Sequence, residues 1–108
     1  MPSRNVACLA GDADGGWLRC DMAAMARVPP RPADCDLDYG HAFEVSGADR
    51  RAGRICHGDT VMGDYPVLAY GTRWQRFGFD CHSEQRGLTC RNRFGRGFFL
   101  SRARQDVF

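Results

Sequence analysis

The sequence predicts an all-β domain: a small antiparallel sandwich or barrel stapled by disulfides, with at most one short helix near residues 22–28. Three observations predict it. Short apolar runs of strand character recur, with turn signals about every eight to twelve residues. Six cysteines fall within only 108 residues. Two hairpin-like segments carry the same apolar-x-Cys pattern on both arms. The length allows one domain, residues 1–108. A chain this short buries a thin core and gains from covalent staples.

The elements follow in order. Residues 4–10 and 17–22 read as a hairpin around Asp12-Ala13-Asp14-Gly15-Gly16. Met22 to Val28 could make two helical turns with Asp21 as N-cap, ended by Pro29-Pro30-Arg31-Pro32. Asp34 to Gly40 is acidic and turn-like. Residues 42–46 and 53–57 form a second hairpin around Ser46-Gly47-Ala48-Asp49. Val67-Leu68-Ala69-Tyr70 reads as a strand. Arg73 to Phe77 alternates, and Phe77 to Cys81 continues that alternation. Residues 87–92 return, Gly95-Arg96-Gly97 turns, and Phe98 to Ser101 follows. The expected core is aromatic: Trp17, Phe43, Tyr70, Trp74, Phe77, Phe79, Phe98 and Phe99.

Six cysteines allow 15 pairings in principle, and local pattern favours one. Residues two apart on a strand share a face, so Cys8 points with Val6 and Cys20 with Leu18. Pairing 9 with 19, 10 with 18 and 11 with 17 puts Cys8 opposite Cys20. Pairing 82 with 89 and 83 with 88 puts Cys81 opposite Cys90. Cys35 and Cys56 remain for each other. Zinc sites usually pair cysteines two to four residues apart; no such pair occurs, and Cys-x-x-Cys-His is absent. No metal or cofactor is expected.

All fifteen basic residues are arginines. Between Arg73 and Arg104 eight of them face only Asp80 and Glu84. Arg73, Arg76, Arg86, Arg91, Arg93, Arg96 and Arg102 are therefore the candidate binding face, suited to an anionic envelope polymer or an acidic protein. The run Arg91-Asn92-Arg93-Phe94-Gly95-Arg96-Gly97-Phe98-Phe99 resembles a single-strand nucleic-acid binder. Strand alternation offers a simpler reading, with Phe inside and Arg outside. Nucleic acid is disfavoured for an exported, disulfide-bonded chain.

Catalytic signatures are weak. Ser83 and Ser101 lack a Gly-x-Ser-x-Gly elbow. His57 with Asp59 is the most suggestive pair among His41, His57 and His82. Glu44 and Glu84 are the only glutamates for glycosidase chemistry. No run approaches the length of a membrane-spanning helix. The chain opens Met1-Pro2-Ser3-Arg4-Asn5 without an apolar h-region, which reads as a mature extracellular or periplasmic form, its signal peptide absent.

The segments Pro29-Pro30-Arg31-Pro32-Ala33-Asp34-Cys35, Gly58-Asp59-Thr60-Val61, Pro66-Val67-Leu68-Ala69-Tyr70-Gly71, Gly87-Leu88-Thr89-Cys90-Arg91-Asn92 and Gly97-Phe98-Phe99-Leu100-Ser101-Arg102 occur in that order. Together they resemble a family of small exported, cysteine-containing actinobacterial and alphaproteobacterial proteins of unknown function. The resemblance implies export, paired cysteines and a β-rich fold, and no activity. Members often carry His where this chain has Arg96.

The sequence thus points to an exported, non-enzymatic, disulfide-stabilised binding or interaction module that docks an anionic partner through its arginines. An inhibitor of a secreted protease or other hydrolase, presenting loops 12–16 and 84–87, is the alternative. A small envelope enzyme using His57 and Asp59 is the third reading.

Overall fold

A computed structural model of the chain describes residues 2–108. Among the described residues nine strands form two antiparallel meanders. The first sheet runs β1 (Val6–Gly11), β2 (Trp17–Met22), β3 (Asp38–Ser46), β4 (Ala52–His57) in that spatial order. The second runs β5 (Arg73–Arg76), β6 (Phe79–Glu84), β7 (Gly87–Arg91), β8 (Gly97–Leu100), β9 (Gln105–Val107). Every strand pairs with its sequence neighbour, so all connections between paired strands are local. The two sheets pack as a disulfide-stapled sandwich.

The expected hairpin registers hold. Leu9 pairs Arg19, Ala10 pairs Leu18 and Gly11 pairs Trp17. His82 pairs Thr89 and Ser83 pairs Leu88. The bridges are Cys8–Cys20, Cys35–Cys56 and Cys81–Cys90, and no cysteine among the described residues is free. Both hairpin bridges join directly opposed residues with Cα atoms 4.1 Å apart. That close spacing marks a non-hydrogen-bonded pair.

Alternation places Leu18, Cys20 and Met22 of β2 and Phe43 and Val45 of β3 on one inner face. Phe79 and Cys81, Leu88 and Cys90, and Phe98 and Leu100 supply the other. The sheets meet most closely where Phe43 lies against Phe98, ring centroids 5.8 Å apart. Arg54 caps that contact. Its guanidinium lies 5.0 Å from the centre of the Phe43 ring and donates to Gln105 of β9 at 3.0 Å. One long side of the sandwich is therefore closed by β3, β4, β8 and β9.

Several expectations need correction. Residues 22–28 form no helix. Met22 still belongs to β2, and the Asp21 carboxylate is occupied by Arg19, Thr60 and Val61, so it caps nothing. Asn5 holds the next turn of chain instead: its amide donates to the Ala24 carbonyl at 2.9 Å and accepts the Ala24 N–H at 2.7 Å. Ala26 N–H goes to the Arg102 carbonyl. Backbone groups satisfied by partners distant in sequence have no need of a helix.

Residues 67–70 form no strand. They end an irregular connector, 58–72, between the two sheets, and Tyr70 is exposed rather than in the core. The alternating run 73–81 is not continuous. Phe77 (φ 55°) and Gly78 (φ 84°) make a two-residue turn between β5 and β6, with the positive dihedrals a tight hairpin needs. Phenylalanine seldom adopts them, which hid the turn. Phe99 is buried, yet it faces outward between the core residues Phe98 and Leu100. Trp17, Trp74 and Phe77 are half-buried at the margins.

Among the described residues, 27–37 make no backbone hydrogen bond to a strand. Cys35–Cys56 is the fastening of this connector to β4. Replacing both with alanine should cost about 2–4 kcal/mol and speed native-state tryptic cleavage after Arg27 by about tenfold. The two hairpin bridges should survive in the nicked product on a non-reducing mass map. Unchanged cleavage would show the connector to be held by other contacts.

Candidate functional site

The seven candidate arginines do not share one face. Arg73 on β5 and Arg91 on β7 lie on the outer face of the second sheet, with Asp80, His82, Thr89 and Phe99. Arg76 alternates with Arg73 and projects from the opposite, inward face beside Trp74. Arg86 sits in the β6–β7 turn and Arg102 in the β8–β9 turn, at one end of the sheet. Arg93 and Arg96 occupy the β7–β8 loop at the other end.

The outer sheet face is built around Phe99. Arg86 and Arg104 each place a guanidinium 4.8 Å from its ring centre, so Phe99 is only 7% exposed. Acids neutralise three arginines around this ring: Arg73 meets Asp80 at 3.0 Å, Arg86 meets Glu84 at 3.1 Å and Arg104 meets Asp106 at 2.8 Å. Arg104 was not among the sequence candidates. Its signal lies in β9, where Asp106 pairs with Phe99, and that strand was not expected.

The loop end differs. Asn92, only 6% exposed, sews two loops together. Its amide donates to the carbonyls of Ser46 and Asp49, both at 2.8 Å, and accepts the N–H groups of Phe94 and Arg96. Arg50 from the β3–β4 loop and Arg93 both lie over Phe94, at 5.2 and 5.8 Å from its ring centre. Arg91 lies over Phe108 at 5.3 Å. Arg50, Arg91, Arg93 and Arg96 have no carboxylate partner among the described residues. The nearby Asp49 is engaged by Arg51 at 2.9 Å. The Arg51 backbone N–H, and then its side chain, hold the Asp49 carboxyl below the usual range. Arg50 is not marked by the sequence because its partner Phe94 lies in the distant β7–β8 loop. Phe94 is clamped rather than free, and Phe98 is core, so the 91–99 run presents no open row of stacking rings.

The catalytic candidates are committed elsewhere. His57 is 9% exposed, and its Nδ1 meets the Asp59 carbonyl at 2.6 Å, not the carboxylate. The Asp59 carboxylate accepts from Arg19 at 3.0 Å. Ser83 is buried and donates to the Leu68 carbonyl; Ser101 donates to the Arg104 carbonyl. Loops 12–16 and 84–87 lie at opposite ends of the sandwich, so one protease cleft cannot take both.

A further polar centre lies on the outer face of the first sheet. Arg19 forks onto Asp21 at 3.0 and 3.1 Å, and the two side chains are 13% and 2% exposed. Asp21 also accepts from Thr60 Oγ1 at 3.1 Å and Val61 N–H at 3.0 Å. Thus β2 pins the start of the 58–72 connector. Hydrogen bonding to Asp21, against the cost of burial, raises the Arg19 pKa further above its ordinary value. The Arg19 hydrogen bond, with its charge, draws the Asp59 carboxyl below its ordinary value.

Removing one member of a buried pair is costly, about 3–5 kcal/mol. Asp21→Ala should therefore lower stability by that order and release Val61 and Met62 to fast amide exchange. Asp59 adds a pH dependence. Its depressed pKa contributes stability that is present above the ordinary carboxylate pKa, near 3.9, and lost as pH falls through the depressed value. Protection of Val61 in the wild type should fall in that acid window, and Asp59→Asn should flatten the dependence. Equal acid profiles for the two proteins would contradict the anchor.

No curated protein and no solved structure is significantly similar to this chain. A family profile does match it, over residues 1–108. The chain belongs to DUF6636, a family of unknown function.

Proposed function

We propose that this protein is an exported, non-enzymatic binding module that docks an anionic partner through the loop end carrying Arg50, Arg91, Arg93 and Arg96. The observation that carries the reading is the state of those arginines. None has an acid among the described residues to neutralise it, three lie on aromatic rings, and Asn92 locks the loops that bear them. Such stacking is seen roughly once per 70–80 residues in proteins; here Arg50 and Arg93 share one ring. A stacked guanidinium keeps its N–H edges free for carboxylate or phosphate. It also loses little side-chain freedom on binding, which favours affinity.

Export is supported by the three disulfides, which persist in oxidising compartments. Among the described residues no helix is long and apolar enough to cross a membrane. An anionic polymer of the cell envelope suits a small basic end better than a flat protein surface does. Its charges repeat, and four arginines can engage several at once.

Polyphosphate and poly-glutamate serve as probes. Binding should weaken log-linearly with salt. The triple variant Arg50→Gln/Arg93→Gln/Arg96→Gln should bind at least about tenfold more weakly, its salt slope reduced by about one per arginine. Arg73→Gln/Arg86→Gln, on the acid-paired face, should stay within about twofold of wild type. Equal losses from both variants would mean that no particular end of the molecule docks the polymer. Binding only to an acidic protein would replace the polymer in this reading.

A further inference from the structure

The sandwich is closed along one side only. Opposite the Phe43–Phe98 contact, β1 and β5 are sheet edges, and a cleft of about 660 Å³ opens between them. That volume lies within the range of small-molecule sites, about 300–1,000 Å³. Its floor reaches the core, at Leu18 of one sheet and Cys81 and Leu88 of the other, each no more than 3% exposed. Trp74 and Phe77 line the β5 side. Cys8–Cys20 ties the β1 jaw to β2, and β5 pairs with β6, which Cys81–Cys90 ties to β7, so both walls rest on clamped strands.

The connector between the sheets forms the third wall. Asp21 pins it at Thr60 and Val61. Ser83 pins it again, its hydroxyl on the Leu68 carbonyl and its backbone on Gly71 and Thr72. Between these anchors, residues 63–67 make no backbone hydrogen bond to another described residue. They include Tyr65 and Val67, which line the cleft and are 37% and 47% exposed. A strap tied at both ends, and held between them only by the exposed Arg4–Asp64 pair among the described residues, can yield to an occupant.

The charges at the cleft are unequal. Arg4 is paired with Asp64 at 3.5 Å. Arg76 has no acidic partner among the described residues and rests on Phe77 at 4.8 Å from its ring centre. It shares the inward face of β5 with Trp74. An unneutralised cation beside an otherwise apolar floor is the signature of a site for a chain with a negative end.

We infer that the cleft binds a single-chain amphiphile, its alkyl chain between the two clamped hairpins and its carboxylate or phosphate head on Arg76. This site uses residues other than those of the polymer-docking end, and the two stand or fall separately.

Dodecanoate and dodecyl phosphate, each below its micelle concentration, test the site against dodecyltrimethylammonium in titrations followed by NMR. Saturable one-to-one binding of an anionic probe should shift the Trp74 indole and the Leu18 and Leu88 amides. The tighter of the two anionic probes identifies the head group. Arg76→Gln, at an exposed position, should weaken both at least about tenfold with the thermal midpoint unchanged, and the cationic probe should bind at least about tenfold more weakly than either. Equal affinity for the cation, an unaffected Arg76→Gln, or shifts only above the micelle concentration would overturn the assignment. So would an extended peptide that shifts the Val6, Cys8 and Ala10 amides of the β1 edge while the alkyl anions do not.

Discussion

Cys8–Cys20 and Cys81–Cys90 each lock two neighbouring strands at directly opposed residues, and the rest of the molecule is arranged around those two locks. A strand slipped by one residue would turn its apolar side chains to solvent. In a domain this small the core alone gives limited protection against such slips. A bridge between opposed residues forbids them. It fixes Leu18 and Leu88 toward the interior, and with them the floor on which both sheets meet. The third bridge acts differently, fastening a strand-free connector to β4.

With the hairpins fixed, the sheets approach along one side and diverge along the other. Phe43, Phe98 and the Arg54–Gln105 hydrogen bond close the first. Asn92 draws the loops of both sheets together at one end. The connector from β4 to β5 must cross between sheets, and it crosses on the open side. It is held by polar anchors rather than by strand pairing: buried Asp21 at one end and Ser83 at the other. Those anchors account for two of the four buried polar residues among those described, Asp21 and Ser83, since a buried carboxylate is tolerated only where donors surround it.

Much of this was legible in the sequence, and the reason is local. The clamped hairpins announce themselves through alternation and turn residues within about fifteen positions, and the 8–20, 35–56 and 81–90 pairing followed from them. What escaped depends on partners far away in sequence. Asp21 looked like a helix cap because nothing local reveals that Thr60 and Val61 will take it. Val67 to Tyr70 has strand composition, yet its bonded carbonyls, those of Leu68 and Ala69, accept from the Ser83 hydroxyl and from Thr72 rather than from a strand's backbone. The Phe77-Gly78 turn was masked by an aromatic residue in a glycine-like conformation. The arginine cluster was seen as one face because sequence spacing cannot tell which arginines meet acids. Only the register shows that Arg73 and Arg86 are neutralised while Arg93 and Arg96 are not.

This fold requires two register-locking bridges and one connector bridge to form together in the native protein. Non-reducing peptide mapping with thiol blocking, on protein recovered without reductant, tests it most directly. The account predicts no blocked thiol, a mass six hydrogens below the reduced chain, and linked peptides for 8–20, 35–56 and 81–90 alone. Blocked thiols in the folded protein, or any other linkage, would contradict it.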